Sequence, residues 1–202
     1  MVNSTIKLII VDLYGVMTTG NYHNICSWLA KKYHRQESDV YKIVYHKYFK
    51  LAAVGKITER EAFVWALRDL KMNEDWRKVR QKHLAYLLLN KRVFNFVLSL
   101  QKRGFRILLL SKNVPSQFKD IVAKYRLWKY FKNIINTYDL KLPKASKETI
   151  DYVLKKFQVK PQEVAYIDDQ DFNLPIAKKM GMKTILYKDF RDAKKKLLEY
   201  LE

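Results

Sequence analysis

The sequence is poor in cysteine, because Cys26 is the one thiol among its 202 residues. A single cysteine excludes an internal disulfide, and this usage favours a reducing environment. Long apolar runs are also missing, since a run such as 107–110 is far too short to span a bilayer. The N-terminal apolar run stops at Asp12 and shows no secretory signal pattern. These absences predict a cytoplasmic protein without a membrane partner.

Acidic residues are scarce as well: 20 Asp and Glu stand against 40 Lys and Arg, which leaves a formal net charge of +20. The excess is spread evenly, with 14 basic and 7 acidic residues in 20–90 and the same ratio in the remainder. The sequence therefore has no basic tail and no arginine-rich arm. An even positive charge attracts anionic small substrates and also nucleic acid, so both stay open as partners. No pattern indicates the oligomeric state.

Short apolar runs predict a parallel sheet. Four of them lack polar alternation, at 7–11, 106–110, 164–167 and 183–187, and a weaker fifth candidate lies at 133–138. Runs of this kind are typical of strands that are covered on both faces. Helical patterns separate them, such as the one that follows a predicted N-cap at Ser146. This alternation predicts an α/β fold with a doubly wound, mostly parallel sheet.

One long segment departs from this rhythm. Residues 20–90 contain no strand pattern, but Thr58 and Glu61 form a capping box ahead of apolar residues at helical spacing. We therefore expect a helical cap at 20–90 and an α/β core at 1–19 and 91–202. All four histidines fall in this cap without metal-ligand spacing, so we expect ordinary helix residues there. They are His23, His34, His46 and His83.

Polar side chains follow three of the predicted strands at the point where each strand ends. Asp12 follows the first strand, Ser111 the next, and Asp168 and Asp169 the run at 164–167. Ligands of open parallel sheets bind beyond the carboxyl ends of the strands. Carboxylates that meet there repel one another unless a cation lies between them, and oxygen ligands favour Mg²⁺. The sequence therefore predicts a magnesium site at this edge.

The first two of these positions resemble motifs of the haloacid dehalogenase (HAD) superfamily, most of whose members are Mg²⁺-dependent phosphatases. The first motif of that family is an apolar strand followed by D-x-D-G-[TV]. Here it corresponds to Asp12-Leu13-Tyr14-Gly15-Val16. The second motif is a Ser or Thr that ends an apolar strand, and Ser111 matches it. A helical cap inserted after the first motif is a further feature of the family.

The third and fourth motifs also have counterparts. The third is a lysine ahead of a helix, for which Lys144 is the best match and Lys141 the fallback. The fourth is a strand that ends in paired aspartates with a downstream asparagine, here Asp168, Asp169 and Asn173. Each motif alone is weak, but four in order with the cap in place are specific. The resemblance covers nearly the whole chain and implies a HAD-like Rossmann-type core.

The resemblance implies a mechanism in which Asp12 attacks a phosphate and forms an aspartyl-phosphate that water hydrolyses. The implied Mg²⁺ ligands are Asp12, Asp168, Asp169 and the backbone carbonyl of Tyr14. The implied catalytic residues are Asp12, Tyr14, Ser111 and Lys144. Ser111, Lys144 and Lys112 would bind the phosphate, and Gly15 and Asn173 would shape the site.

Tyr14 departs from the phosphatase pattern. Its position usually holds an aspartate that protonates the leaving group and later activates water. A phenol with a pKa near ~10 is a poor base at neutral pH. Turnover is therefore expected to be slow or to depend on an activated leaving group. The chain most resembles phosphatase-like members that lack this second aspartate and keep the paired aspartates.

Two other functions stay open. The haloacid dehalogenases themselves carry D-x-Y-G-T, displace halide without a metal and hold the substrate with an arginine. Arg35 is the one arginine before residue 60. A degenerate member of the family would instead bind a phosphorylated ligand, a protein or RNA without turnover. Metal dependence distinguishes the first two functions, and loss of turnover marks the third.

Overall fold

A computed structural model describes residues 5–202, so the first four residues of the predicted core lie outside the described residues. Five strands form one sheet in the order β3-β2-β1-β4-β5, and all neighbouring pairs are parallel. The strands are β1 (Leu8–Asp12), β2 (Arg106–Ser111), β3 (Ile134–Asn136), β4 (Val164–Asp168) and β5 (Lys183–Leu186). The predicted α/β fold with a parallel sheet is confirmed.

The central strand β1 is buried on both faces. Ile9 and Val11 pack into one apolar cluster, whereas Leu8 and Ile10 pack into another on the opposite face. Successive side chains of a strand point to opposite faces, so a strand covered on both sides shows a continuous apolar run. The weak fifth candidate is β3, a three-residue strand at the edge of the sheet.

The chain between β1 and β2 is helical. The helices are α1 (Tyr22–Lys32), α2 (Glu37–Tyr41), α3 (Lys50–Ala53), α4 (Glu59–Asp69) and α5 (Trp76–Tyr86). A π-helical stretch over Lys42–Phe49 joins α2 to α3. Thr58 and Glu61 form the predicted capping box at the start of α4. These helices bury an apolar cluster of their own, with Val114 from the core. The boundaries of the cap at 20–90 stay a prediction.

Helices of the core cover both faces of the sheet. They are α6 (Lys91–Lys102), α7 (Pro115–Lys124), α8 (Thr137–Leu140), α9 (Lys147–Phe157), α10 (Pro175–Lys179) and α11 (Phe190–Leu201). The predicted N-cap of α9 is present, because the Ser146 hydroxyl accepts a hydrogen bond from the Thr149 N–H. Among the helices of residues 5–202, none is long and apolar enough to cross a membrane.

Candidate active site

The carboxyl ends of β1 and β4 bring the predicted acids together. Asp12 ends β1, Asp168 ends β4, and these two strands are neighbours in the sheet. Asp169 is the next residue, and one carboxylate oxygen from each of the three acids lies within 4.8 Å of the others. Asp12 is 5% exposed and Asp168 is 0% exposed. The three acids therefore form a compact cluster with little solvent around it.

One ammonium group lies inside this acidic cluster. Lys144 is buried; its Nζ contacts Asp12 Oδ1 and lies 2.8 Å from Asp168 Oδ2. Lys141 is exposed at the end of α8, where it lines a different cavity. The structure thus places Lys144 rather than Lys141 against the carboxylates.

The three carboxyl groups differ in how readily they ionise. Burial raises the pKa of Asp12 well above its usual value, and Lys144 offsets part of that effect. Burial raises the pKa of Asp169 as well. Burial acts in the same direction on Asp168, but Lys144 and local hydrogen bonds outweigh it and lower the pKa. Asp168 is therefore the acid whose ionised form this site holds most firmly.

Three hydrogen-bond donors besides Lys144 contribute to the lowered pKa of Asp168. The Tyr166 hydroxyl donates to its Oδ2 at 2.8 Å. The Asn173 side-chain amide and the Gln170 backbone N–H both donate to its Oδ1 at 2.9 Å. A carboxylate that accepts several hydrogen bonds is stabilised in its charged form. Asn173 thus supports Asp168 directly, at the position that the sequence assigned to a structural role.

Gly15 brings the first loop against Asp169. Its φ is +86°, and a Cβ at this position would lie 2.2 Å from Asp169 Oδ2. Only glycine combines this backbone conformation with so close an approach. The Gln170 side-chain amide donates to the same Oδ2 at 3.0 Å. The position of the Asp169 carboxylate therefore depends on the absence of a side chain at Gly15.

The end of β2 contributes polar groups next to the acids. Ser111 is fully buried, and its Oγ has no hydrogen-bond partner among the described residues. The two residues that follow, Lys112 and Asn113, line the central cavity, whereas Ser111 does not. Burial lowers the pKa of Lys112, and the neighbouring Lys144 adds to the effect. In the described chain the Lys112 ammonium makes no ion pair and lies 5.2 Å from the centroid of the Phe172 ring, so it is available to an anionic ligand.

The Tyr14 hydroxyl is already engaged in a hydrogen bond with the core. It donates to the backbone carbonyl of Gln117 in α7 at 3.1 Å. Burial, followed by the charge of Asp12, raises the Tyr14 pKa well above its ordinary value. The phenol therefore stays protonated at neutral pH and does not serve as a base. The Gln117 side-chain amide donates in turn to the Tyr22 hydroxyl at 2.9 Å and to Glu59 at 2.7 Å, which links this region to the cap.

A cavity of about 50 Å³ lies between the acids and the cap. Its core side is lined by Asp12, Tyr14, Lys112, Asn113, Lys144, Asp169, Gln170 and Asn173. Its cap side is lined by Asn21, Tyr22, Tyr41, Tyr45, Phe49 and His83. The predicted nucleophile, the lysines and the cap thus meet around one cavity, as a substrate site requires.

Residues on the cap side of the cavity were missed by the sequence analysis. His83 was expected to be an ordinary helix residue, but it is 0% exposed and lines the cavity. Val79, His83 and Leu87 recur every four residues and are all buried, and this spacing was a signal that His83 lies on the inner face of α5. The spacing does not reveal that the inner face borders a cavity.

The donor set fits a divalent cation. Three carboxylates share the cluster, and the Lys144 ammonium contacts two of them, Asp12 and Asp168. The raised pKa values of Asp12 and Asp169 reflect carboxylates that burial leaves short of positive charge. A hard cation with oxygen ligands would favour their ionised forms, and Mg²⁺ is bound in this way by one or two carboxylates together with phosphate. Asp12, Asp168 and Asp169 are the residues that would hold it.

Comparison with known sequences identifies the family. The sequence profile of the haloacid dehalogenase-like hydrolases matches residues 6–181. Bifunctional epoxide hydrolase 2 from Rattus norvegicus is 30% identical over 133 residues, and its Mus musculus counterpart is 25% identical over the same length. These matches cover 64% of this chain and 24% of each relative, so the chain spans about a quarter of the length of the curated relatives.

Solved structures share the fold. A predicted HAD-like family hydrolase from Porphyromonas gingivalis has a TM-score of 0.75 at 20% identity, and the match covers 96% of this chain and 98% of that one. A HAD-family enzyme from Bacteroides thetaiotaomicron, in complex with magnesium and inorganic phosphate, has a TM-score of 0.72 at 19% identity over 91% and 94%. L-2-haloacid dehalogenase from Xanthobacter autotrophicus has a TM-score of 0.64 at 18% identity over 89% and 76%.

The fold and the site define an α/β hydrolase with an acidic cluster beneath helices. The chain belongs to the haloacid dehalogenase-like hydrolases, as the match over residues 6–181 shows. The resemblance inferred from the four motifs is thereby confirmed.

Proposed function

We propose that this hydrolase is a Mg²⁺-dependent phosphatase that cleaves a small phosphate monoester. The observation that carries the proposal is the cluster of Asp12, Asp168 and Asp169 around the Lys144 ammonium. Halide displacement needs no second and third carboxylate beside the nucleophile, whereas a cation and a phosphoryl group neutralise such a cluster. The complex of the Bacteroides thetaiotaomicron enzyme with magnesium and inorganic phosphate supports this choice by analogy of fold.

The roles of the residues follow from their positions. Asp12 attacks the phosphorus atom, and water hydrolyses the resulting aspartyl-phosphate. Lys144 favours the ionised form of Asp12 against burial and offsets the charge of the incoming phosphate. Lys112, which lines the cavity, binds phosphoryl oxygens. Ser111 does not line the cavity, so its phosphate-binding role rests on the motif resemblance and on its unpartnered Oγ. Mg²⁺, held by the acidic cluster and the Tyr14 carbonyl, supplies further positive charge when bound.

The environment of Arg35 weighs against the dehalogenase alternative. Arg35 is exposed and does not line the cavity, and no arginine in the described chain does. The carboxylate of a haloacid would therefore lack the arginine partner that the family uses. Tyr14 is the residue that favours a dehalogenase. A ligand- or RNA-binding role without turnover is the other alternative.

Hydrolysis of p-nitrophenyl phosphate with and without Mg²⁺ tests the proposal. We expect turnover that EDTA abolishes and that Asp12→Asn lowers by at least ~10³-fold. Asp171→Asn is the matched control, because Asp171 is an exposed acid close to the paired aspartates that does not line the cavity. Turnover that persists in EDTA would contradict the proposal. Release of halide from a 2-haloacid without metal would favour the dehalogenase.

A further inference from the structure

The central cavity has two unlike halves. The core half carries acids, lysines and amides that suit a phosphoryl group and its cation, whereas the cap half is aromatic. Within residues 5–202, no charged side chain from the cap lines the cavity. An anionic group held against the rings of the cap half would therefore lose water without gaining a cationic partner there. Lys50 of the cap does not line the cavity, and its Nζ lies 5.9 Å from the centroid of the Phe172 ring. The cap half thus favours an uncharged leaving group.

The aromatic side chains form a continuous wall. The rings of Tyr41 and Tyr45 stack at 4.9 Å and 16°, and those of Tyr45 and Phe49 stack at 5.1 Å and 17°. The Tyr22 ring lies 4.3 Å from Phe49 and 4.3 Å from His83. Flat aromatic groups gain stacking on such a wall, but a sugar would leave most of its hydroxyls without partners.

His83 adds one polar position to this wall. Neither of its ring nitrogens has a hydrogen-bond partner of good geometry in the described chain. Burial lowers its pKa to about 4, an effect that the nearby Gln117 amide opposes only in part, so the imidazole is neutral at pH 7. A neutral imidazole offers one donor and one acceptor. Asn21 also lines the cavity, but its side-chain oxygen already accepts a hydrogen bond from the His23 N–H and is less available to a ligand than His83.

The chemistry at Tyr14 points to the same leaving group. Tyr14 stands where a carboxylic acid would protonate the departing oxygen, and its hydroxyl donates to Gln117 instead. An alkoxide is about as basic as hydroxide and leaves poorly without a proton. A phenolate, with a conjugate acid near ~10, leaves far more readily.

We infer that the substrates are small aryl monophosphates whose ring carries a hydroxyl-like group in contact with His83. This inference rests on the proposed phosphatase activity. In the first step the bond between an Asp12 oxygen and phosphorus forms, and the bond between phosphorus and the aryl oxygen breaks. The electron pair leaves with the phenolate, which takes a proton from solvent. Water then cleaves the aspartyl-phosphate, which releases inorganic phosphate and restores the Asp12 carboxylate.

Phosphonates test which ligands the cavity prefers independently of turnover, because their carbon–phosphorus bond is not hydrolysed. Phenylphosphonate and cyclohexylphosphonate match in charge and closely in size, and the three hydroxyphenylphosphonate isomers add one hydroxyl each. Their dissociation constants are measured by calorimetry with saturating Mg²⁺. The proteins are the native chain, His83→Phe, His83→Gln and His34→Phe. His34 is an exposed imidazole of the cap that does not line the cavity, whereas His46 packs edge-on against Tyr41 and Tyr45, so His34→Phe is the matched control.

We expect the phenyl compound to bind about tenfold more tightly than the cyclohexyl compound in the native chain. The best hydroxyphenyl isomer should gain a further ~5-fold in the native chain and in His34→Phe. That gain should disappear in His83→Phe and return in part in His83→Gln, whose amide also donates and accepts. Because the gain is a ratio within one protein, a general loss of affinity in a variant does not mimic it.

Different results would overturn the aryl-substrate inference and the proposed phosphatase activity. Hydrolysis of p-nitrophenyl phosphate together with equal affinities for phenyl- and cyclohexylphosphonate would overturn the inference alone. A hydroxyl gain that survives in His83→Phe would overturn the role of His83. Aryl selectivity without any hydrolysis would support the aromatic ligand site and overturn the phosphatase.

Discussion

Replacing Gly15 with alanine perturbs the candidate site through two separable effects. The residue has a φ of +86°, and an alanine in this region costs about 1–2 kcal/mol of folding free energy. The added Cβ would also lie 2.2 Å from Asp169 Oδ2 and 2.5 Å from Asp169 Cγ. The carboxylate must move by roughly 1 Å to reach ordinary contact distance, and a displacement of this size in an active site costs up to about 10²-fold in rate.

Gly104→Ala separates the two effects, because Gly104 has a φ of +98° and a Cβ added there would meet nothing within 4 Å. Urea denaturation should show a loss of about 1–2 kcal/mol for each variant from backbone strain. Calorimetric titration should show Mg²⁺ affinity weakened by roughly 10–100-fold in Gly15→Ala and unchanged in Gly104→Ala. An unchanged Mg²⁺ affinity in Gly15→Ala would refute the reasoning, as would an equal weakening in Gly104→Ala.

Three further substitutions test the electrostatics of the site. Lys144→Met leaves two buried carboxylates unpaired and should cost about 3–5 kcal/mol in urea denaturation with EDTA, whereas Lys141→Met should change stability by less than about 0.5 kcal/mol. Tyr14→Phe loses a hydrogen bond of about 1 kcal/mol but should keep p-nitrophenyl phosphate turnover within about threefold, and a loss above tenfold would show proton transfer by the phenol. Burial lowers the His83 pKa to about 4, so the unfolded chain binds a proton at pH values where the folded chain does not. The free energy of unfolding should therefore fall by up to about 3 kcal/mol as the pH drops from 7 to 4, and a urea series should show that His83→Phe lacks this component.

The fold was predictable because its three central strands are buried on both faces. Such strands show as uninterrupted apolar runs, and β1 with its neighbours β2 and β4 lies in the middle of the sheet. The edge strand β3 was weak in the sequence because it has three residues, of which Ile134 and Ile135 are only half-buried. The π-helical stretch Lys42–Phe49 left no signal, since its residue types also suit an ordinary α-helix.

The acidic cluster was predictable for a related reason. Parallel strands end at one edge of the sheet, so acids that follow adjacent strands must meet there. The choice between Lys144 and Lys141 depends on how the loop before α9 is folded, and no local pattern encodes that. In the structure the Thr149 hydroxyl donates to the Pro143 carbonyl at 2.7 Å and holds this loop next to the acids. Long-range packing of this kind decides which of two nearby lysines reaches the site.

The cap half of the cavity depends on contacts that are distant in sequence. Gln117 accepts a hydrogen bond from Tyr14 through its backbone and donates through its side chain to Tyr22 and Glu59 in the cap. Tyr14, two positions after the proposed nucleophile, is therefore linked to the same glutamine that contacts Tyr22 of the aromatic wall. A carboxylate at Tyr14 would be too short to keep this contact. A tyrosine in place of an acid at position 14 thus removes a proton donor and links the first loop to the cap through Gln117. The missing proton donor and the aromatic cap half of the cavity both favour a leaving group that departs without a proton.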